Sequence, residues 1–135
     1  MDRLTLVDEW TIPIARFVQG EFALVDRREP VGHARLLMRM KDVSCLLVLG
    51  DDGPTGVLWA RDVGPNEDAL RVEDVMRPRV PSLPPYTPAR EALEVLRESA
   101  AGCAAVVEGG RVIGMVTSAD VVRRMMDGAS APMGK

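Results

Sequence analysis

Two stretches of this chain, 58 positions apart, decide its fold: GMVTSAD at residues 114–120 and GVLWARD at residues 56–62. The same offset aligns the residues around them without a gap. It gives eight identities over positions 30–63, at Pro30, Ala34, Arg39, Cys45, Val48, Gly56, Asp62 and Val63. An internal repeat of this length indicates one supersecondary unit present twice. The chain is therefore predicted to consist of two similar halves.

Each half has the same order of predicted elements. A short extended piece precedes a helix that opens at a proline (Pro30 or Pro88), where the missing amide had no partner anyway. An apolar strand then begins at Cys45 or Cys103, and a turn rich in Gly and Asp joins it to a second strand, which a further helix follows. A unit of roughly 55 to 60 residues buries too little surface alone. We therefore predict an α/β (α+β) fold of two pseudo-symmetric β-α-β-β-α motifs packed sheet to sheet. The predicted boundaries are 12–63 for the first motif, 64–71 for a linker, 72–127 for the second motif and 128–135 for a disordered tail.

Composition and charge limit the classes of function. Of the 135 residues, 47% are hydrophobic and 27% are charged, as in one ordinary globular domain. The apolar runs are far shorter than the roughly 18 to 20 residues of a membrane span. Because the N-terminus also lacks a secretory signal pattern, we expect a cytoplasmic protein with no membrane partner. The formal charge of −3 argues against nucleic acid as a partner.

An enzyme would need a catalytic constellation that the sequence does not offer. His33 is the only histidine, and the two cysteines, Cys45 and Cys103, occupy equivalent strand positions in the two halves. Neither a zinc-ligand spacing nor a set of nucleophile, base and orienting residue can be assembled from these residues. A glycine-rich loop of the GxxxxGK[ST] kind is also missing. We therefore expect no catalytic residues and no metal site.

Thr117 and Asp120 carry the chemistry that the sequence offers for a ligand. Thr117 stands where a strand is predicted to end and a helix to begin, and the free amides of a helix N-terminus attract a phosphate. Asp120, one turn further on, can accept two hydroxyl hydrogen bonds, as a ribose would offer. The same spacing also fits a capping box, in which the two side chains only stabilise the start of the helix. Both interpretations stay open at this point.

These residues resemble the cystathionine β-synthase (CBS) domain family. GMVTSAD matches the family signature of Gly, two apolar residues, Thr or Ser, two variable residues and Asp. Residues 72–76 look like the lead-in helix of such motifs, and residues 43–48 look like their first hairpin strand. The resemblance covers about residues 12–127 and suggests a tandem CBS pair of the Bateman-module type. It implies a regulatory site for AMP, ADP, ATP or an S-adenosyl compound, formed between the two repeats.

By that resemblance, Asp120 would hold the ribose and Thr117 would lie near the phosphate, while strands of the first repeat would form an adenine slot. The ligand-binding residues that it implies are Thr117, Asp120, Gly114, Met115, Ala119, Val18, Ala23, Val43, Ser44 and Cys45. Ordinary strand packing explains Val43 and Cys45 equally well.

The first-repeat signature departs from the family pattern, because Trp59 stands where Thr117 stands in the second repeat. An indole cannot replace a hydroxyl, and its bulk should reach into the pocket that Asp62 would serve. We therefore predict that this second site is closed or altered, which leaves one competent site per chain. Stacking of Trp59 on a base is the other interpretation. Arg61 and Arg79 are candidate phosphate neighbours.

The leading functional hypothesis is a sensor of adenine nucleotides that acts in trans on an unidentified protein target. The alternative is a ligand-free scaffold for dimerisation or protein docking, for which Met115, Met125 and Met126 would supply an adaptable surface. A third hypothesis is nucleic-acid binding through local arginine pairs, which salt-dependent affinity would reveal. The family resemblance also implies a homodimer formed through the helices.

Overall fold

The computed structural model describes residues 11–18 and 22–130. Its strands and α-helices are intermixed along the chain. They are β1 (Leu24–Asp26), α1 (Val31–Lys41), β2 (Cys45–Gly50), β3 (Gly53–Trp59), α2 (Val72–Val75), β4 (Arg77–Pro78), β5 (Ser82–Leu83), α3 (Ala89–Glu98), β6 (Cys103–Glu108), β7 (Arg111–Thr117) and α4 (Ser118–Ser130). Two short 3-10 helices, Ile14–Phe17 and Ala60–Asp62, complete the described elements. This mixed α/β content confirms the predicted fold class.

Two small sheets carry the internal repeat. The first has the strand order β1-β2-β3-β4 and the second has the order β5-β6-β7. In each sheet the first strand runs parallel to the second, and the second and third form an antiparallel hairpin. Cys45 lies opposite Trp59 in one hairpin, and Cys103 lies opposite Thr117 in the other. The strand register therefore repeats with the same 58-residue offset as the sequence.

A hydrophobic core joins the two sheets face to face. Its buried members come from both repeats and are Leu47, Val57, Trp59, Val80, Ala101, Cys103 and Ala105. Each sheet also has a core of its own, which lies between that sheet and the helices packed on it. Burial of apolar area is the main favourable term in folding, so the shared core holds the repeats together. The predicted sheet-to-sheet packing is confirmed.

The lead-in segments of the two repeats are exchanged. The Val31 amide at the start of α1 donates to the Leu70 carbonyl at 2.7 Å. At the equivalent positions, the Ala89 amide at the start of α3 donates to the Ile12 carbonyl at 2.9 Å. The 3-10 helix Ile14–Phe17 accordingly packs in the core of the second repeat, and α2 packs in that of the first. Each packed unit is therefore built from two separate parts of the chain.

The first repeat does not end in an α-helix as the sequence pattern predicted. A single 3-10 turn, Ala60–Asp62, follows β3, and the backbone becomes extended at Val63. Pro65 comes two residues later and disfavours helical backbone at Gly64, which stops the helix at once. In the second repeat α4 continues to Ser130, and positions 131–135 of the expected tail lie outside the described residues. Across the described ranges, no helix combines the length and apolarity that a membrane span needs.

Candidate functional site

A pocket of about 320 Å³ opens between the two repeats. Its walls come from the segment before β1, the loop before β2, the first residue of β2, the end of β3, the second half of β7 and the first turn of α4. The lining residues are Phe22, Asp42, Val43, Ser44, Cys45, Trp59, Met115, Thr117 and Asp120. A volume of this size lies at the lower end of the range for small-molecule sites, which is about 300 to 1,000 Å³.

The structure brings together part of the predicted site. The predicted residues that line the pocket are Val43, Ser44, Cys45, Met115, Thr117 and Asp120. The other four are placed elsewhere. Ala23 belongs to the core of the first repeat, and Ala119 lies exposed on α4. Val18 packs against Gly114, where a Cβ would collide with it, and neither residue is among those that line the pocket.

Phe22 and Asp42 line the pocket but were missed in the sequence. Asp42 ends α1 in the left-handed conformation, with φ of 56°, and so turns the chain into the pocket wall at Val43. An aspartate one residue after a helix is a recognisable signal for such a turn, because short polar side chains tolerate this conformation. Phe22 precedes β1 and has no comparable signal.

Thr117 and Asp120 form the capping box that their spacing allows. The Asp120 amide donates to Thr117 Oγ1 at 3.1 Å, and the Thr117 amide donates to Asp120 Oδ2 at 3.3 Å. These bonds leave other capacity unused. The Thr117 hydroxyl hydrogen can still be donated, and among the described residues Asp120 Oδ1 has Arg123 as its one charged neighbour, at 4.0 Å. Capping therefore leaves one hydroxyl hydrogen and one carboxylate oxygen of these two side chains available to another partner.

The wall at Cys45 is uncharged. Burial raises the pKa of the Cys45 thiol to about 11, with Arg61 opposing and Asp120 adding to this rise. The thiol donates to the Met115 sulfur at 4.0 Å. Two polarisable sulfur atoms thus meet across the pocket, one from each repeat, and form a soft apolar surface that suits a flat aromatic ligand.

At the pseudo-symmetric position, Trp59 fills the space between the repeats. Its Nε1–H donates to the Ala101 carbonyl at 2.8 Å, and Ala101 is the repeat mate of Val43. The indole also lies over Gly102, whose φ is +84° and whose Cβ, if present, would meet the ring at 3.5 Å. Gly102 is the repeat mate of Ser44. The indole thus contacts the counterparts of two residues that line the open pocket.

Asp62, the repeat mate of Asp120, is also occupied. Arg77 Nε donates to its Oδ2 at 2.7 Å, and Arg77 Nη2 donates to its Oδ1 at 3.2 Å. This bidentate pairing holds the pKa of Asp62 below its ordinary value. Both oxygens of Asp62 therefore have partners, whereas Asp120 keeps one oxygen free of hydrogen bonds within the part of the chain that the structure describes.

The residues that the structure describes contain no cluster of metal ligands. Among the described residues, histidine, cysteine, aspartate and glutamate form no group of three or more that could hold an ion. The two cysteines are free thiols, and burial raises the pKa of Cys103 to about 12.

Comparison with known proteins agrees with this architecture. Residues 72–127 match the family model described as CBS domain. Inosine-5′-monophosphate dehydrogenase from Thermoplasma acidophilum is 29% identical over 96 residues, covering 70% of this chain and 20% of that enzyme. The chain therefore spans about a fifth of the length of this curated relative.

Two solved structures are similar over nearly their whole length. The CBS-pair protein CBSX2 from Arabidopsis thaliana matches with a TM-score of 0.69 at 24% identity, covering 87% of this chain and 96% of that one. The CBS domain of the bacterial CNNM/CorC family Mg²⁺ transporter, in complex with ATP, matches with a TM-score of 0.75 at 22% identity, covering 92% and 94%. At these identities the matches show a shared fold.

Proposed function

Because this chain is a CBS domain pair protein, we propose that it is a non-catalytic regulatory module that binds one adenosine-type nucleotide between its two repeats. The pocket at Thr117 and Asp120 carries this proposal, since residues of both repeats line it. CBS domains generally act as regulatory ligand-binding modules, and the similar transporter domain is described in complex with ATP.

Each part of the ligand has a chemically suited wall. The Thr117 hydroxyl and the first amides of α4 face a phosphate, and Asp120 Oδ1 accepts the ribose hydroxyls. The base lies against the Cys45 and Met115 sulfur atoms, with the polar groups of Ser44 at its edge. Phosphate, sugar and base thus bridge from the second repeat to the first.

One site per chain follows from the asymmetry of the two motifs. Trp59 occupies the space between the repeats on the other side, and Arg77 occupies both oxygens of Asp62. A ligand there would have to displace a buried indole and break a bidentate ion pair. We propose that the first-repeat site is closed, so that binding is hyperbolic with a stoichiometry of one.

A bound ligand could regulate a protein target because residues of both repeats line the pocket. A ligand that contacts both repeats favours the relative setting of the repeats in which both sets of contacts are made. The shift is no larger than the difference between the ligand's affinities for the two settings. A protein target that contacts both repeats would sense this change.

A thermal-shift screen with AMP, ADP, ATP, NAD and S-adenosylmethionine tests the proposal. A ligand that binds only the folded state at 100 times its dissociation constant adds about 2.7 kcal/mol to the free energy of unfolding. The shift should vanish in Asp120→Ala and persist in the repeat mate Asp62→Ala. Because Asp120→Ala also removes a cap, the ligand-induced shift must be compared within each variant and not between them. No shift with any compound in the unmutated protein would sink the proposal.

A second candidate function, assembly through the helices, rests on a different surface. An apolar groove of about 450 Å³ lies beside α1 and is lined in part by Leu24, Leu36 and Met40. Leu36 is 53% exposed and Met40 is 73% exposed. The repeat mates of these three residues are Ser82, Glu94 and Glu98, so the surface is specific to the first repeat.

We propose that this groove is where a second copy of the chain docks. Light scattering of the unmutated protein should then give twice the chain mass of 14.7 kDa. Leu36→Glu should return a monomer, while Glu94→Gln on the equivalent face of α3 should leave the dimer intact. A monomer at micromolar concentration in the unmutated protein would exclude this candidate.

A further inference from the structure

Two arginines lie against the Trp59 indole, and they differ in what else they contact. The Arg77 guanidinium carbon is 6.0 Å from the ring centroid, and its nitrogens are paired with Asp62. The Arg61 guanidinium carbon lies over the ring at 4.6 Å. Within residues 11–18 and 22–130, Arg61 makes no side-chain hydrogen bond and no ion pair. Arg61 therefore presents a full set of uncommitted donors at a defined place.

The indole that supports Arg61 is itself fixed. Trp59 is only 9% exposed, and its Nε1–H bond to the Ala101 carbonyl sets the orientation of the ring. A cation over an aromatic face is attracted by the negative face of the ring, even at an exposed site. Arg61 is thus held on a rigid platform, which lowers the entropy lost when its side chain binds an anion.

Arg61 lies close enough to the open pocket to act on it. Trp59 lines that pocket as well as filling the closed site. The positive charge of Arg61 is also felt at Cys45, where it lowers the pKa of the thiol while Asp120 raises it. The two charges therefore act in opposite directions on the same wall of the pocket.

The pocket needs such a cation if its ligand is anionic. Its charged lining residues are Asp42 and Asp120, and both are acidic. Arg123 approaches Asp120 at 4.0 Å and offsets that carboxylate. Without a further positive charge, the lining would favour a neutral nucleoside or a sulfonium compound over a phosphate.

We propose that Arg61, held on the Trp59 ring, is the residue that makes the pocket select a phosphorylated nucleoside over adenosine and over S-adenosylmethionine. The proposal rests on the proposed function and names the class of ligand that the site takes. The proposal also assigns a function to the altered first-repeat motif. Trp59, which fills the first-repeat site, supports Arg61, which selects the ligand of the second-repeat site. Guanidinium groups suit this task, since their planar donors match phosphate oxygens in pairs.

Isothermal titration of AMP, adenosine and S-adenosylmethionine into the protein and its Arg61→Gln variant tests this. We expect the unmutated protein to bind AMP at least about tenfold more tightly than adenosine. Arg61→Gln should weaken AMP about tenfold and leave adenosine unchanged, so that the two affinities converge. Arg90→Gln, at an exposed position on α3, is the matched control and should change neither affinity.

A second measurement separates the effect of the Arg61 charge from the effect of the planar shape of its guanidinium group. The AMP affinity should fall with added salt in the unmutated protein, and the slope should flatten in Arg61→Gln. Arg61→Lys keeps the charge but loses the planar fork, so it should recover only part of the loss.

The outcomes distinguish this inference from the function on which it rests. Equal affinities for AMP and adenosine in the unmutated protein, or an equal loss of both in Arg61→Gln, would overturn the role of Arg61 and leave the nucleotide site standing. Tighter binding of S-adenosylmethionine than of AMP would also overturn it. Failure of all three compounds to bind would overturn the role of Arg61, and the proposed function would fall with it if ADP, ATP and NAD also gave no thermal shift.

Discussion

Replacing Trp59 with threonine, the residue that its repeat mate carries, should destabilise the protein by about 3 to 5 kcal/mol. The Trp59 side chain is 9% exposed and sits in the core between the sheets. A tryptophan buries about 150 to 250 Å². At about 25 cal/mol per Å² this corresponds to about 4 to 6 kcal/mol of transfer free energy, part of which threonine retains.

Two further losses act in the same direction. Threonine cannot reach the Ala101 carbonyl, and a lost hydrogen bond of this kind costs about 0.5 to 1.5 kcal/mol. The indole face under Arg61 also disappears, which removes about 0.5 to 1 kcal/mol. Relaxation of the sheets around the vacated space offsets part of this loss. The expected net loss is therefore about 3 to 5 kcal/mol, which is typical of truncating a buried tryptophan.

Urea denaturation followed by far-UV circular dichroism measures the effect. Tyr86→Thr is the matched control, because Tyr86 is 75% exposed and an exposed aromatic residue should contribute less than about 0.5 kcal/mol. Trp59→Phe should fall between the two, since it keeps a ring but not the Nε1–H donor. A loss for Trp59→Thr no greater than that for Tyr86→Thr would refute the packing of the indole between the repeats.

Three more predictions follow from other contacts. Gly114→Ala should lower the thermal midpoint by the equivalent of about 1 to 3 kcal/mol, because its Cβ would collide with Val18; an unchanged midpoint would contradict this packing. Alkylation of Cys45 by iodoacetamide at pH 8 should be about 100-fold slower than that of a thiol with a pKa of 9, since its own pKa is raised to about 11, and a rate like that of free cysteine would exclude the raised pKa. Asp62 has a lowered pKa when folded, so its ion pair stabilises the protein above pH 3.8 and this contribution is lost as the pH falls further. Acid unfolding of Asp62→Asn should show a weaker pH dependence in that window than that of Asp52→Asn, whose carboxyl is exposed in a hairpin turn; equal profiles would show that the pair contributes nothing.

Strand register is the part of the structure that the sequence predicted best. The 58-residue offset found by aligning identical residues recurs in the pairing of Cys45 with Trp59 and of Cys103 with Thr117. Register follows from local patterns, because alternation and hairpin turns fix which residues face each other. An ungapped sequence repeat therefore predicts the same strand register in both halves of the structure.

Contacts between distant segments were less accessible to sequence reasoning. The exchange of lead-in segments depends on which core Ile14 enters, and both cores are apolar enough to accept it. The bidentate pairing of Arg77 with Asp62 depends on side-chain rotamers and on the path of β4 beside β3. Neither feature leaves a periodic signal. The two interpretations of Trp59 stayed open for the same reason, because its neighbours come from the other repeat.

The asymmetry between the repeats bears on how a ligand could act. On one side, Trp59 Nε1 donates to the Ala101 carbonyl and Arg77 Nη1 donates to the Ala100 carbonyl, so these two bonds join the two sheet units without a ligand. On the other side, the contacts of a ligand at Thr117 would add only the free energy that its concentration supplies, which is about 2.7 kcal/mol at 100 times its dissociation constant. We expect the bonded edge to act as a hinge, because movement of the repeats is restrained there by these two bonds and at the other edge only by a bound ligand. In a module with two open sites, both sites would have to be filled before the relative position of the two repeats was fixed. We therefore expect the response to rise with a single nucleotide and without cooperativity within the chain.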